Sequence, residues 1–551
     1  MKPLYRLLPL AEEQVDQLHR LLYLLGLATI ACGLAWSNAL MSIGQFILAG
    51  NWLLEADFEA KWARSKQQRH LGLLLSIFAL VLAGFLWTEN LDYALKDARI
   101  KLPLLLLPLF IGSTARLKIK ELRAILGVYL ITLSLLYLSS LLKYFGLFSE
   151  ASIQDKRELS IFISHIRYGL NLLLGSLLAI YYSPLLTGTQ LMKLSKKRES
   201  ANIRRRPQRV WLLYLLALTL FTSLVVLELY TALLIGLLIV GTYLLKVILF
   251  GKLNTLVKSS AILLILLTLT TAIVQVRQVA ADFHRKPEMS YDQDEMIKFS
   301  KLGNPYTHKR SDQRKENGVF LYRYLQEEEL AKQWEEKSSL AFNDLDQKGN
   351  SVRKTLIRFL SAKGLSKDAE GMNQLTKEEI RAIEKGIPNP YYLEHWAWQN
   401  RLYTTIYELE TYRRFGYAEG FSLGMRLEFW KAAKKIIAEQ PLFGVGTGDV
   451  QDAFDLQYYL DQTSLSEKNR RRAHNQYLTF WLTYGVFGLL YFLFYLLWPL
   501  KGNEHGFYPA FLAIVMLSFL TEDTLETQAG VTFFAFFNSL FVLGIPQESR
   551  D

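Results

Sequence analysis

Residues 259–277 read SSAILLILLTLTTAIVQVR and carry no charged side chain before Arg277. As an α-helix, a run of this length and apolarity spans the ~30 Å hydrocarbon core of a bilayer. The composition agrees, because 51% of the 551 residues are hydrophobic and 13% are aromatic, more than the surface of a soluble protein of this size accommodates. The sequence therefore predicts an all-α polytopic membrane protein.

Eleven further apolar segments bring the prediction to about twelve transmembrane helices. They are 21–41, 43–56, 70–88, 101–115, 121–143, 166–186, 210–228, 230–250, 475–500, 507–522 and 528–545. Segment 43–56 is short for a span, but omitting it would place the strongly basic loop 193–209 outside, against the positive-inside rule. Both chain ends, 1–20 and 546–551, are then expected to be cytoplasmic.

This topology predicts three large parts. Residues 21–277 contain transmembrane helices 1–9, residues 278–473 form one extracytoplasmic segment, and residues 474–545 contain helices 10–12. Aromatic residues and helical periodicity recur through the hydrophilic segment, which predicts a folded and mostly helical domain. Within it, 320–334 and 393–412 have the pattern of amphipathic helices.

Charge and cysteine content exclude two classes of protein. The net charge of +12 comes from Lys and Arg placed between apolar runs, where they set topology and do not indicate a nucleic-acid partner. Cys32 is the only cysteine, so the chain has no internal disulfide framework and no cysteine-based metal site.

The end of the hydrophilic segment contains three alternate glycines. A helix over 425–439 must end before Pro441, and Gly444, Gly446 and Gly448 follow. The N–H groups of such a loop can converge on an anion. The alternative is a tight turn, because neither a Walker lysine nor a strand–helix unit accompanies the glycines.

His474 lies at the mouth of the predicted tenth span, after the basic run 468–472. Four cations at an extracytoplasmic helix end oppose the usual charge bias, and an anionic substrate at the membrane surface would explain them. An imidazole that titrates near neutral pH suits the removal of a proton from a sugar hydroxyl. The alternative is an interfacial histidine beside membrane-flanking cations.

The motifs MRLEFWK (425–431), PLFGVGTG (441–448) and HNQYL (474–478), followed by GVFGL (485–489), resemble the signature of the O-antigen ligase and polymerase family. Twelve crossings with one large loop before the tenth also fit that family. The resemblance implies a metal-independent membrane glycosyltransferase of the GT-C type that uses no cofactor. It implies a multi-pass protein of the bacterial inner membrane with its active site on the periplasmic side.

The resemblance also implies roles for particular residues. His474 would be the general base on the acceptor hydroxyl, supported by Asn475 and Tyr477 of the same motif, and Arg426 would bind the donor diphosphate. The donor would be a glycan on undecaprenyl diphosphate, within a membrane of ordinary lipids. The acceptor would be lipid A–core for a ligase, a second lipid-linked glycan for a polymerase, or a protein side chain for an O-oligosaccharyltransferase; the ligase is slightly favoured.

The sequence departs from the family at one position. Members carry a second arginine at the outer start of the span equivalent to 230–250, where this chain reads LELYTA (227–232). Arg167, at the outer end of the predicted sixth span, is the candidate replacement in the donor site; the alternative is an interfacial arginine. Glu522 and Asp523 are expected to orient His474 or to pair with the arginines.

Two functions of other classes compete with a glycan transferase. One is a twelve-span secondary transporter, against which the span-end position of most charges argues. The other is a catalytically silent member of a polysaccharide assembly complex, which the missing arginine allows.

Overall fold

A computed structural model describes residues 11–147, 156–183, 210–251, 254–285, 297–502 and 505–545. These residues are mostly helical, and the strands among them form one two-stranded hairpin. The chain forms two compact units. The first unit is Met1–Leu245 with Arg426–Asp551, and the second unit is Lys246–Met425.

The α-helices in chain order are α1 (Glu12–Trp36), α2 (Asn38–Glu55), α3 (Phe58–Gln67), α4 (Leu71–Ala83), α5 (Leu91–Lys101), α6 (Pro103–Ser113), α7 (Ile119–Tyr144), α8 (His165–Tyr181), α9 (Val210–Val226), α10 (Tyr230–Phe250), α11 (Thr255–His284), α12 (Glu327–Lys337), α13 (Val352–Ala362), α14 (Ala369–Asn373), α15 (Lys377–Glu384), α16 (Tyr391–Glu394), α17 (Ala397–Phe415), α18 (Ser422–Glu439), α19 (Val450–Leu460), α20 (Gln476–Leu497), α21 (Tyr508–Ser518) and α22 (Gln528–Ser539). Short 3₁₀ turns lie at Gly84–Leu86, Lys156–Leu159, Glu467–Asn469, Trp498–Leu500 and Thr524–Glu526, and a π-turn at Leu540–Gly544.

Apolar helices dominate the described residues, as the sequence predicts. Five of them, α1, α7, α10, α11 and α20, are long and apolar enough to cross a membrane, and α3 with α4 would form a sixth span bent by 100°. Each of the twelve predicted spans contains a helix in the structure. The number of crossings stays a prediction, and the basic loop 193–209 lies outside the described residues.

The first two helices pack through small residues, as neighbouring membrane helices do when van der Waals contact drives their association. A Cβ atom on Gly44 of α2 would lie 2.6 Å from the Ile30 side chain and 2.9 Å from the Gly26 carbonyl of α1. Ser37 separates the helices, and its hydroxyl caps α2 by accepting a hydrogen bond from the Ala39 N–H at 3.1 Å.

A break in α20 positions the glycine loop. Gly485 has a φ of +68°, which interrupts the helical hydrogen bonds and leaves two carbonyls available. The Val445 N–H donates to Leu482 O, and the Gly446 N–H donates to Thr483 O, both at 2.9 Å. The break at Gly485, in the motif GVFGL (485–489), therefore anchors the preceding loop to this helix.

The second unit contains the strands and α11 to α17, with a core around Trp334, Leu356 and Phe359. The helix predicted over 320–334 is wrong for its first part. Strand Val319–Phe320 pairs with Lys315–Glu316, and α12 begins only at Glu327. The physical reason is the Asn317-Gly318 pair, which adopts φ of +47° and +79° and so makes a tight hairpin turn.

The boundaries of the second unit differ from those of the predicted segment 278–473. The structure groups α11 with the second unit, whereas residues 426–473 belong to the first. The helix predicted over 393–412 is present as α17, and the helix that leads to Pro441 ends at Glu439 as expected.

Candidate active site

A cavity of about 910 Å³ lies in the first unit and collects charged residues from four separate parts of the sequence. They come from α5, the start of α8, the segment before α20 and the loop between α21 and α22. The charged and imidazole side chains that line it are Lys96, Asp97, His165, Arg167, Arg470, Arg471, Arg472, His474, Glu522, Asp523 and Glu526. Three of the predicted site regions thus meet at one cavity.

The backbone of His474 is held in an unusual conformation. Its φ is +47°, in the left-handed region that costs a residue with a Cβ roughly 1–3 kcal/mol. The His474 N–H donates to Asp523 Oδ2 at 2.8 Å, and the preceding carbonyl of Ala473 accepts from Trp430 Nε1 at 2.9 Å. These bonds compensate the strain and fix the direction in which the imidazole leaves the chain.

The imidazole of His474 lies between an aromatic ring and a carboxylate. It stacks on Phe429 with ring centroids 5.6 Å apart, and its Nδ1 is 3.8 Å from Glu522 Oε2. That separation is an ion-pair distance, longer than a direct hydrogen bond. The side chain is 29% exposed, so it is partly accessible beside the cavity.

Glu522 also binds Arg426. Arg426 Nη2 is 3.0 Å from Glu522 Oε1, the other oxygen of the carboxylate that faces His474. Burial would raise the pKa of Glu522, but the His474 imidazole and the Arg167 and Arg426 guanidiniums outweigh it and lower the pKa. Glu522 is therefore an ionised carboxylate shared between the predicted base and the predicted donor ligand.

Arg167 is 7% exposed and lines the cavity from the first turn of α8. Its Nη1 donates to Thr524 Oγ1 at 3.0 Å, and Nη2 lies 3.4 Å from Thr527 Oγ1, so the loop after Glu522 holds the guanidinium. Two residues later, a Cβ on Gly169 would lie 2.9 Å from Ala232 Cβ. Gly169 therefore packs against the segment in which the second arginine is missing, whereas Arg167, two residues earlier and on another face of α8, is bound by the loop after Glu522.

Asp523 shapes the backbone beside His474. Its Oδ2 accepts from the His474 N–H, and its Oδ1 accepts from the Thr479 hydroxyl at 2.8 Å. Burial, together with the charge of Glu526, raises the pKa of Asp523.

Asn475 and Tyr477, the predicted supporting residues, make hydrogen bonds to the backbone. The Asn475 side chain caps α20 by accepting from the Leu478 N–H, and the Tyr477 hydroxyl donates to Met516 O at 2.9 Å.

A buried charge network, not predicted from the sequence, lies behind the cavity. Lys101 Nζ is 2.5 Å from Asp97 Oδ2 and 3.0 Å from Glu526 Oε2, and Arg472 Nη1 is 2.8 Å from the same Glu526 oxygen. Burial raises the pKa of Asp97 against the effect of Lys101, whereas Lys101 and Arg472 lower that of Glu526 despite its burial. Only the i, i+4 pair Asp97–Lys101 was visible as a signal in the sequence.

Lys101→Met should destabilise the protein by about 3–5 kcal/mol, because it leaves Asp97 and Glu526 buried with one cation fewer. Lys96→Met on the same helix is the matched control, since Lys96 is exposed and its change should stay within about 0.5 kcal/mol. Denaturant or thermal unfolding in detergent measures both. Equal stability of the two variants would contradict a structural role for the network.

The glycine loop does not provide the predicted anion cradle. The Gly444 N–H donates to Gln440 O, the Thr447 N–H to Gly84 O and the Gly448 N–H to the Thr88 hydroxyl, while the two intervening N–H groups bind α20. A Cβ on Gly448 would lie 2.0 Å from Asn90 O. The three glycines allow close packing of the loop, and their N–H groups are already used within the protein.

A comparison with known protein families finds the same family that the sequence motifs resemble. Residues 391–493 match the O-antigen ligase family, a range that includes Arg426, the glycine loop, His474 and the Gly485 motif. No curated protein matches the chain significantly. The match confirms the resemblance seen in the motifs, and residues 391–493 are similar to the O-antigen ligase family.

Proposed function

We propose that the protein is a membrane glycosyltransferase that moves a glycan from undecaprenyl diphosphate to an acceptor hydroxyl, as an O-antigen ligase does. The observation that carries this proposal is the shared carboxylate of Glu522, 3.0 Å from Arg426 and 3.8 Å from His474. A base and a diphosphate ligand that meet at one ionised group, beside a cavity that Arg167, His474 and Glu522 line, are the parts that glycan transfer from a lipid diphosphate requires.

In this proposal His474 is the general base. Glu522 faces Nδ1, so Nε2 is the nitrogen that accepts the proton of the acceptor hydroxyl. The acceptor oxygen forms a bond to the anomeric carbon, and the bond from that carbon to the diphosphate oxygen breaks. The ionised Glu522 stabilises the imidazolium that results. The backbone of His474, held at φ +47° by its hydrogen bond to Asp523, keeps the ring in place.

Arg426 and Arg167 take the developing charge of the diphosphate. A guanidinium donates two parallel hydrogen bonds to phosphate oxygens and does not lose its charge, so it stabilises this leaving group without a metal ion. Arg167 is the proposed replacement for the cation that the sequence lacks at 227–232, and its support is its place in the lining of the cavity, where its charge acts on Glu522. The glycine loop has no part in the proposed donor site.

The cavity also has an apolar part that suits a polyprenyl chain. Ile100, Ile161, Phe162, Ile163 and Ala529 line it, and Ile161 and Phe162 are exposed. A lipid-linked donor needs such a surface next to its diphosphate site. With the predicted topology, the cavity opens on the periplasmic side of the inner membrane.

The test is a transfer assay with purified full-length protein, an undecaprenyl-diphosphate glycan and three acceptors: lipid A–core, a second lipid-linked glycan and a serine-containing peptide. We expect transfer to lipid A–core that persists in excess chelator. Transfer to the second or third acceptor would reassign the protein to a polymerase or to a protein-glycosylating enzyme. Loss of activity on chelation would contradict the metal-independent mechanism, and failure with every acceptor would favour an inactive assembly component or a transporter.

A further inference from the structure

A second set of cations lines the cavity, apart from the Glu522 group. It consists of Lys96 on α5 and three consecutive residues, Arg470, Arg471 and Arg472. These four residues, named the arginine wall, lie on the side of the cavity formed by α5 and the segment before α20. The proposed base and diphosphate site use none of them.

Each arginine of the wall makes a specific contact through its side chain or its backbone. Arg472 is 13% exposed, lies over the Tyr93 ring at 4.9 Å and is bound to Glu526. Arg471 is fixed through its carbonyl, which accepts from the Tyr458 hydroxyl at 2.5 Å, and Arg470 Nε donates to Leu465 O at 3.2 Å. The segment 470–472 is thus held in place by specific contacts and is not a loose basic flank of a membrane helix.

Much of the charge of the wall is uncompensated. Glu526 neutralises Arg472 but is shared with Lys101. Lys96 and Arg471 are exposed, and within the described residues neither of them, nor Arg470, pairs with a carboxylate. Three cations that line the cavity therefore have no carboxylate at ion-pair distance in the described part of the chain. The carboxylates of the same lining are bound by other groups, Asp97 by Lys101, Glu522 by Arg426, Asp523 by the His474 N–H and Glu526 by Arg472, so the three cations favour a bound anion.

One loop organises both cation sets. Glu522 binds Arg426 and faces His474, whereas Glu526, on the 3₁₀ turn Thr524–Glu526, binds Arg472 of the wall. The donor carries one diphosphate, and Arg426 with Arg167 is its proposed site. A separate anionic group on the second substrate, the acceptor, would be a ligand for the wall.

We propose that the arginine wall binds an anionic substituent of the acceptor, a phosphate or a carboxylate, and so selects acidic acceptor glycans. This proposal rests on the proposed function. Guanidiniums match both kinds of anion through paired hydrogen bonds. A neutral acceptor would offer no anion for the exposed Lys96 and Arg471 to bind.

The first experiment compares lipid A–core acceptor that retains its core phosphates with the same acceptor after phosphatase treatment. In the double variant Arg470→Gln/Arg471→Gln, the KM for the phosphorylated acceptor should rise about 10- to 100-fold, while the donor KM and kcat stay unchanged. Wild type and variant should have equal KM values for the dephosphorylated acceptor. Lys468→Gln is the control, because Lys468 is an exposed cation of the same run that does not line the cavity.

Three results would overturn the proposal: an unchanged KM, a donor KM that rises in parallel, or an equal loss with both acceptors. Arg470→Lys/Arg471→Lys checks folding, because it keeps the charge and should recover part of the affinity. Assays in neutral phosphatidylcholine and in phosphatidylglycerol nanodiscs identify a lipid as the occupant. If the effect of the variant appears only with the anionic lipid, the wall binds bilayer headgroups and not the acceptor.

A binding measurement separates this proposal from the proposed function. Inorganic pyrophosphate titrated into the purified protein should occupy two sites in wild type and one in Arg470→Gln/Arg471→Gln. Arg167→Gln/Arg426→Gln should also retain one site, at the wall. If wild type binds pyrophosphate at two sites but transfers no glycan to any acceptor, anion binding by the wall stands and the proposed function is refuted. If wild type has one pyrophosphate site, and only Arg167→Gln/Arg426→Gln abolishes it, the proposed binding of an anion by the wall is refuted.

Discussion

Replacement of His474 by Asn is expected to lower the rate of glycan transfer by about 10²–10⁴-fold, the usual loss on removal of a general base. Asn is chosen because it tolerates the left-handed conformation that His474 adopts at φ +47°. The backbone N–H that donates to Asp523 is unchanged by the substitution. Single-turnover transfer at saturating donor measures the chemical step, and unfolding in detergent verifies that the variant is folded.

The comparison variant is His165→Gln, which removes the other imidazole that lines the cavity. His165 begins α8, outside the residues that match the ligase family, and we assign it no chemical role. Its loss should cost less than about tenfold, within the range of a mild positioning effect. Equal losses in the two variants would mean that neither imidazole is the base, and a fully active His474→Asn would remove His474 from the mechanism.

Hydropathy was sufficient to locate the helices because the signal is local. Each predicted span contains a helix, and a break such as Ser37 ends α1 inside the predicted span 21–41. The error at 320–326 has a local cause as well. Asn317-Gly318 is a hairpin signal, but the alternation in the flanking residues is too short to outweigh the helical pattern that follows.

The site was only partly predictable, because its contacts join residues distant in sequence. The motifs identify His474 and Arg426, but the carboxylate that joins them lies 96 residues after Arg426. Lys101 and Glu526 are 425 residues apart, so no spacing in the sequence reveals that they share a buried cluster. The sequence left the glycine loop open between an anion cradle and a tight turn for the same reason, since the acceptors that decide for the turn lie near residue 84 and in α20.

Arg167→Gln and Arg426→Gln should each reduce transfer by about 10²–10³-fold, comparable to the loss of one preorganised donor at a developing charge. The loss should fall mainly on the chemical step, because the leaving diphosphate carries more charge in the transition state than in the bound donor. Lysine at either position should restore little, since it lacks the paired donors of guanidinium. Transfer rates at saturating donor and acceptor test both variants.

The chain offers a closely matched control for Arg426. Arg20 pairs with Glu121 at 2.5 Å and is 23% exposed, and Arg426 pairs with Glu522 at 3.0 Å and is 24% exposed. Arg20→Gln removes an ion pair elsewhere in the first unit together with the hydrogen bonds of Arg20 to the carbonyls of Ala115 and Arg116, so it should cost at least as much stability with nearly full activity. If Arg20→Gln and Arg426→Gln lose activity equally, the effect is one of folding. If only Arg426→Gln loses activity and Arg167→Gln does not, Arg167 is an interfacial arginine, and the donor diphosphate depends on a single guanidinium.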